Sequence, residues 1–552
     1  MELGSGQALL DGRAATSGRH IGTSWPGSVG YEIYLPSFQD GNGDGWGDLA
    51  GVTSRLDYLH DLGVDVLWLT PFFPTPMRDH GYDIADYRGV DGRFGTMADL
   101  DRLLAEAHRR GLSVIADLVV NHTSDGHPWF ARSRSSRQDP YRDYYIWRDP
   151  RPDGGPPNNW LSHFGGPAWT YDEQTGQYYL HLFTPCQPDL NWENPAVADE
   201  VDAIIRFWLD RGLDGFRIDT AHCLAKQSGL PDNPLLAEAE VPRGHGAVAA
   251  WLRQDHRHDL ALPAAIDIHR RWRAIADQYR ALLVGEVYIT DPLRLAAYVD
   301  GQGLHSAFFF GLVEAGWDAE AFGPMIAAAA TASPSLSWVQ SSHDRPRSVT
   351  RYGGGQLGWR RWLALSVLLA ALPGPLFLYQ GEELGLADGI VPMEHDDDPL
   401  ALGGGLSRVG CRTPMPWEPG PGLGFTSAEQ AWMPFGGRSA AETAAAQTDD
   451  PASPLSVTRR LLAARRGLAA AAQGPAEWLE AGPLVAFRRG DVLAAANLSE
   501  HPVTLLDADG SWRTCFDTSA AGGVPADIRG PVQLDPLQAI LAIRPTAPRV
   551  VR

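Results

Sequence analysis

Lysine is almost missing from this chain. Lys226 is the only one among 46 basic residues, the rest being arginine. With abundant Ala and Gly, that skew reads as genome composition rather than function. Positive charge is short overall: 67 acidic residues leave a net charge of −21. No basic patch is available to neutralise phosphates, which argues against nucleic acid or an anionic membrane as partner. Cysteine is scarce. Cys186, Cys223, Cys411 and Cys515 share no C-x-x-C spacing, so neither a zinc site nor a disulfide framework is indicated. Long apolar runs are lacking too; the nearest, Trp362 to Leu378, is broken by Pro373, Gly374 and Pro375. The first 24 residues have neither the basic start nor the apolar stretch of a signal peptide, so a disordered leader and a cytoplasmic location are expected.

What is there is a soluble globular composition, 44% apolar and 20% charged, on 552 residues. That length exceeds one ordinary core, and two or three domains are expected. Eight apolar, β-rich segments stand out: Val29–Leu35, Val64–Thr70, Ser113–Val120, Gly215–Ala221, Ala281–Val287, Ser306–Leu312, Ser337–His343 and Gly374–Tyr379. Helix-period stretches separate most of them, at Ser54–Leu62, Met97–Arg110, Ala198–Arg211, Ala264–Tyr279 and Trp359–Leu372. Near-continuous apolar strands alternating with helices predict a parallel sheet, and eight of them predict a closed (β/α)8 TIM barrel.

Two long excursions interrupt the alternation. Between the third strand and Ala198 lies a Trp-, Tyr-, Gly- and Pro-rich stretch, in which Thr170–Phe183 reads as a hairpin. Such a length is not credible as structureless and predicts an inserted domain. A Gly/Pro-rich excursion follows Leu384. After a helix at Ser456–Ala472, short β-rich pieces such as Pro483–Phe487, Val492–Asn497 and Ala539–Ile543 predict a C-terminal antiparallel β domain. The expected division is therefore leader 1–24, barrel 25–121, inserted domain 122–190, barrel 191–455 with an extended loop 385–454, and helix plus β domain 456–552.

Chemistry-bearing residues fall where the barrel strands should end, the face that forms active sites in this architecture. Asn121 and His122 follow the third strand, Asp219 and His222 the fourth, Glu286 the fifth, and His343 with Asp344 the seventh. Three carboxylates gathered in one mouth repel and shift one another's pKa, an expense that a structural role explains poorly. Two carboxylates in one cleft suit glycosidic-bond chemistry, one ionised and one protonated. In Gly215-Phe-Arg-Ile-Asp219 the strand period puts Arg217 and Asp219 on one face, where the pairing would keep Asp219 ionised. Glu286 sits in the apolar Leu282-Leu-Val-Gly-Glu-Val287, which should raise its pKa toward an acid's role. Asp344 and Asp83 would hold sugar hydroxyls, with Tyr82 as a stacking platform. Separately, Asp40, Asn42, Asp44 and Asp48, with the carbonyl of Trp46, alternate with glycines. They read either as the first half of a calcium loop or as an Asx-rich turn without metal.

With these residues assembled, the chain resembles glycoside hydrolase family 13, the α-amylase family, in its oligo-1,6-glucosidase/α-glucosidase branch. The likeness runs from about Val29 to Trp417 through YEIYLPSFQDGNGDGWGDL, GYDIADY, DLVVNHTS, QPDLNW, GFRIDTAH, LLVGEVY, SSHDRPR, GPLFLYQGEELG and RVGCRTPMPW. The resemblance implies Asp219 as nucleophile, Glu286 as general acid/base and Asp344 as transition-state stabiliser of a retaining mechanism. It also implies Asp83, His122, Arg217 and His343 around a terminal glucose. Arg412 would pair with Asp83 to close the pocket and give an exo mode. A structural Ca2+ at Asp40–Asp48 is implied as well. Thr220 stands where, in similar enzymes, Thr or Ala accompanies α-1,4 preference and Val α-1,6.

Ser342, Arg345, Val409 and His80 depart from the family pattern, which bears on the subsite beyond the first glucose. The expected activity is hydrolysis of terminal α-1,4 glucose from maltose and short oligosaccharides, with transglucosylation, by a monomer or homodimer. The alternatives are a glucosyl transferase or isomerase of the trehalose synthase or sucrose-acting kind, and a non-catalytic binding subunit.

Overall fold

A computed structural model describes residues 27–238, 248–506, 510–519 and 527–545. The expected leader at 1–24 lies outside the described residues. Eight parallel strands close into a barrel in the order β1-β11-β10-β9-β8-β7-β3-β2. They are β1 (Val29–Ile33), β2 (Val66–Leu69), β3 (Ser113–Leu118), β7 (Gly215–Ile218), β8 (Leu282–Gly285), β9 (Ser306–Phe309), β10 (Leu336–Val339) and β11 (Leu376–Tyr379). Every residue of these strands is buried, as expected where one face meets helices and the other fills the barrel.

The strand period divides these residues between two cores. Val66, Trp68, Ile115, Leu282, Val284, Phe308 and Phe377 form the barrel interior. Leu67, Leu69, Phe216, Ile218 and Leu283 join the outer core, beneath the helices. Gly30 of β1 is small for a reason: a Cβ there would lie 2.3 Å from the Phe377 ring. The helices carry local start and stop signals. Thr96 and Asp99 form a capping box for Met97–Arg109, while Asn194 caps Pro195–Arg211, which ends on Gly212 at φ +113°.

Between β3 and β7 the chain inserts an antiparallel sheet of β4 (Trp147–Arg148), β6 (Gln177–Leu180) and β5 (Trp169–Asp172). Its hairpin pairs Trp169 with Leu180 and Asp172 with Gln177. The C-terminal part follows the helix Pro454–Leu468. It comprises β12 (Glu477–Ala481), β13 (Leu484–Arg489), β14 (Val492–Asn497), β15 (Val503–Leu505), β16 (Ser511–Asp517), β17 (Asp527–Arg529), β18 (Val532–Leu534) and β19 (Ala539–Ile543). Six of these form one antiparallel sheet, ordered β12-β13-β14-β19-β16-β17, and β15 pairs with β18. The barrel helix Gly355–Ala371 lies against β14 and β19. Among the described residues no helix is long and apolar enough to cross a membrane.

Candidate active site

Arg217 stands at the centre of the barrel mouth, 1% exposed. Its register neighbour on β3 is Asp117, and its guanidinium contacts three carboxylates. Nη1 donates to Asp117 and, at 2.6 Å, to Asp219 Oδ1, while Nη2 reaches Glu286 Oε1 at 2.8 Å. The Trp68 and Tyr82 rings lie 4.9 and 5.7 Å from the guanidinium carbon. Asp117 is fixed in turn by the Trp68 Nε1–H at 2.9 Å and the Tyr82 hydroxyl at 3.1 Å. One guanidinium fork thus sets the spacing of Asp219 and Glu286, each one residue past the end of its strand.

Burial is the largest influence on both carboxyls. It raises Asp219 to about 6, with Arg217 opposing and Asp117 and Asp344 adding to the rise. It raises Glu286 further, to about 8, with Arg217 again opposing and Asp219 and Asp344 adding. Arg217 therefore limits the rise at Asp219 without abolishing it. Near pH 7 Asp219 is a carboxylate and Glu286 a carboxylic acid, the division that a nucleophile and a proton donor need. The rate should follow a bell. We expect kcat/KM to rise with pH through about 6 as Asp219 ionises, and to fall above about 8 as Glu286 loses its proton. A pH profile on a neutral glucoside measures both limbs; a flat profile between pH 5 and 9 would contradict this assignment.

Asp344 is held differently. Burial works against its charge, but the Arg408 and Arg412 guanidiniums outweigh that and keep its carboxyl well below the usual range. Arg408 Nη1 and Arg412 Nη2 donate to Oδ1 at 3.1 and 2.9 Å, and His343 Nε2 is 3.3 Å from Oδ2. His343 stacks on Tyr82 at 5.3 Å. His122 reaches the Tyr82 carbonyl at 3.0 Å and Gln187 Nε2 at 3.1 Å. The site thus gathers Tyr82, His122, Arg217, His343 and Arg412 with the three carboxylates.

The expected Arg412–Asp83 pair is not formed. Asp83 is fully buried and braces its own loop, accepting from Thr75 Oγ1 at 2.9 Å and from the Arg78 and Asp79 N–H groups at 3.2 Å. Asp79, four residues earlier, is the carboxylate that faces the pocket. Arg408 Nη2 donates to it at 2.9 Å and Gln187 Nε2 at 3.0 Å. Arg408 is anchored on its far side by Asp398 at 2.6 Å. The two-aspartate motif Asp79-His-Gly-Tyr-Asp83 offers both carboxylates, and the residues alone do not say which one turns inward. Asp117, Arg408 and Gln187 were also missed. Strand alternation could have flagged Asp117, since it falls on the same face as Ile115 in a buried strand.

Thr220 brings a second surprise. It lies past the end of β7 with φ at +39°, a left-handed backbone that β-branched residues rarely adopt. Strand propensity therefore does not explain it. Its N–H donates to Glu286 Oε2 at 2.8 Å and its hydroxyl to Asp219 Oδ2 at 3.2 Å, so Thr220 touches both carboxyls held by Arg217.

Of the residues that depart from the family pattern, Ser342, His80 and Val409 are buried. Arg345 bonds Glu314 at 2.7 Å and lies 5.4 Å from the Tyr288 ring. Ser342 Oγ accepts the Asp344 N–H at 3.3 Å. His80, lowered to about 4 chiefly by burial, is neutral beside Trp432. Val409 is simply buried.

In the loop at Asp40–Asp48, each of Asp40, Asn42 and Asp44 accepts the N–H two residues on. Asp48 caps the helix Leu49–Ser54 through one oxygen, Oδ1, which accepts from Gly51 and Gly41. Among the described residues no three His, Cys, Asp or Glu side chains converge as a ready metal cluster. The donor set is nevertheless hard oxygen throughout: three carboxylates, one amide oxygen and the Trp46 carbonyl. That chemistry fits Ca2+ and not a softer metal.

The description "Alpha amylase, catalytic domain" is that of a family model matching residues 32–474. A probable alpha-glucosidase of Rhizobium meliloti (strain 1021) is 42% identical over 497 residues, covering 87% of this chain and 90% of the relative. An oligo-1,6-glucosidase of Heyndrickxia coagulans is 35% identical over 544 residues, covering 89% and 94%. Among solved structures, the alpha-glucosyl transfer enzyme XgtA superimposes with a TM-score of 0.87 at 39% identity, covering 94% of this chain and 99% of that one. The trehalulose synthase MutB from Pseudomonas mesoacidophila MX-45 gives a TM-score of 0.84 at 32% identity, with the same coverage. The chain is a glycoside hydrolase enzyme and belongs to the α-amylase family, glycoside hydrolase family 13.

Proposed function

We propose that this enzyme is a retaining, exo-acting α-glucosidase that releases terminal α-1,4-linked glucose from maltose and short malto-oligosaccharides. The observation that carries the reading is the pair of carboxyls held on one Arg217 fork, Asp219 Oδ1 at 2.6 Å and Glu286 Oε1 at 2.8 Å, with burial raising Glu286 further than Asp219. Asp219 attacks the anomeric carbon while Glu286 hands its proton to the leaving oxygen, forming a glucosyl ester on Asp219. Glu286, now a carboxylate, then takes a proton from water, which breaks the ester with net retention. Asp344, charged and clamped by two arginines, grips sugar hydroxyls most tightly as positive charge develops. Asp79, Arg408, Arg412 and His122 support the exo mode by closing round one glucose ring.

A second reading, transfer or isomerisation of a glucosyl unit, is favoured by the names of the two structural neighbours. Both readings share every catalytic group and differ in how well water competes for the glucosyl ester. Incubation with maltose, sucrose, trehalose and isomaltose, with products separated by chromatography, divides them. Free glucose as the main product from maltose is expected. Trehalose or another isomer without free glucose would overturn hydrolysis in favour of the second reading.

Thr220 bears on linkage as well as on the carboxyls. Thr220→Val removes the hydroxyl on Asp219 and adds a methyl beside the bond to be cut. We expect the α-1,4 to α-1,6 ratio of kcat/KM to fall by roughly 10-fold or more, the usual worth of a small steric change in a pocket. Rates on maltose and isomaltose measure it; an unchanged ratio would remove Thr220 from linkage choice.

The loop at Asp40–Asp48 is proposed to hold a structural Ca2+, remote from the chemistry. Saturating Ca2+ at about 100 times its dissociation constant would add about 2.7 kcal/mol to stability. Thermal melting with Ca2+ and with a chelator tests this. A higher Tm with Ca2+ and an unchanged kcat are expected, and identical melting would exclude the site.

A further inference from the structure

His343 is held in place from β1. Glu32, the fourth residue of that strand, is 1% exposed at the barrel mouth. Its Oε1 meets Nδ1 of the His343 ring and accepts the His343 backbone N–H at 3.3 Å. The imidazole lies between two phenol rings, Tyr82 at 5.3 Å with a 6° interplanar angle and Tyr34 at 5.7 Å with 17°. Trp68 closes one edge at 6.0 Å. The ring is therefore clamped on both faces and tied at one nitrogen, so the other, Nε2, has a fixed aim. It lies 3.3 Å from Asp344 Oδ2.

We propose that Glu32 is a positioning residue that fixes His343 as the neutral Nε2–H tautomer, so that the ring donates toward Asp344 and the glucose hydroxyl held beside it. The proposal rests on the active-site reading above. Nε2 is buried without a hydrogen-bond partner among the described residues and faces Asp344 Oδ2 at 3.3 Å. Asp344 is an ionised carboxylate that can only accept, so it attracts a hydrogen on that nitrogen and repels a lone pair. In a neutral ring Nδ1 is then a lone pair, and its partner has to donate. Glu32 donates if it is a carboxylic acid protonated on Oε1. Its second oxygen, Oε2, is buried without a hydrogen-bond partner among the described residues, a placement that a neutral carboxyl tolerates far better than a carboxylate.

The surroundings agree with two neutral groups. Burial pushes Glu32 well above the usual carboxyl range, with Asp344 and Asp117 adding and Arg217 opposing. Burial pushes His343 well below the usual imidazole range, with Arg412, Arg217 and Arg408 adding and Asp344 opposing. An aromatic slot with one carboxyl at its back thus presents a neutral donor to a charged stabiliser, where an imidazolium would neutralise it. Outer partners of this kind set which ring nitrogen carries the proton.

The test reads the tautomer directly. In the full-length protein labelled with 15N-histidine, without substrate, two-bond 1H–15N correlation at pH 7 should show His343 with a protonated Nε2 and an unprotonated Nδ1. A proton on Nδ1, in a neutral ring or in an imidazolium, would overturn the proposal. Kinetics supply an independent arm. Glu32→Gln keeps an N–H for Nδ1 and should retain kcat/KM on maltose within about 3-fold, with the same tautomer. Glu32→Leu leaves Nδ1 unpaired and should lose roughly 10–100-fold, mostly in kcat. Glutamine as damaging as leucine, or leucine as active as the parent, would overturn it. Because the spectrum needs no substrate, the expected tautomer with no turnover of maltose would count against the substrate reading alone.

Discussion

Asp219→Asn should lower kcat/KM on maltose by about five orders of magnitude while leaving the protein folded. The loss follows from what the group does: an amide cannot form the glucosyl ester, and nothing nearby can replace it. Asp117, the other carboxylate on Arg217 Nη1, is fully buried on β3 and locked by Trp68 and Tyr82. Asp344 is drawn aside by Arg408 and Arg412. Loss of a covalent nucleophile is worth about 10^6-fold in well-studied hydrolases, which sets the scale. Folding should not suffer. The amide oxygen can still accept from Arg217, and the buried carboxylate it replaces is itself an expense at neutral pH. The sign follows from the pKa: a carboxyl raised to about 6 holds its proton more tightly folded than unfolded, so its contribution to stability falls as pH rises through that range. The variant should therefore melt at or above the parent at pH 7.5. Kinetics alongside calorimetry check both halves, and a variant keeping more than about a hundredth of the parental rate would remove Asp219 from the nucleophile's role.

Glu286→Gln should separate substrates by their leaving groups. Maltose departs as a sugar alkoxide unless it is protonated, so losing the acid should lower kcat/KM by roughly 10^3-fold, within the usual range for proton transfer. A 4-nitrophenyl α-glucoside departs as a stable phenolate and needs little help, so its kcat/KM should stay within about 10-fold of the parent. Its kcat should fall much further, because the same residue must activate water when the ester breaks. The alkaline limb near pH 8 should vanish from the aryl-glucoside profile, since the group that titrates there is gone. Rates on the two substrates across pH provide the measurement. Equal losses on both would mean that Glu286 acts by charge or shape and not by moving a proton.

Much of this centre is legible in the sequence, for a physical reason. A barrel fixes which end of each strand faces the site, so Asp219 and Glu286 could be placed once eight apolar strands were counted. The strand period of Phe216, Arg217, Ile218 and Asp219 was enough to turn Arg217 inward. What was not legible depends on partners distant in sequence. The choice between Asp79 and Asp83 is made by Arg408, more than 300 residues away, and by Thr75, which engages Asp83 in its own loop. Glu32 reads as an ordinary strand residue until His343 arrives from the segment after β10, two places round the barrel. Thr220 takes a left-handed backbone and bonds both Asp219 and Glu286, and nothing in Ile218-Asp-Thr-Ala221 announces that turn.

One bond is central to the proposed mechanism, the ester between a glucosyl unit and Asp219. A 5-fluoro-α-glucosyl fluoride slows both steps but keeps a good leaving group, so the ester should accumulate when it is mixed with the enzyme. Mass spectrometry of the intact protein and of its peptides reads the result. One fluoroglucosyl unit per chain, carried on the peptide that contains Asp219 and absent from the Asp219→Asn variant, is the predicted outcome. A label on Glu286 or Asp344, or steady turnover that releases the β anomer of 5-fluoroglucose first and leaves no label, would contradict an ester on Asp219.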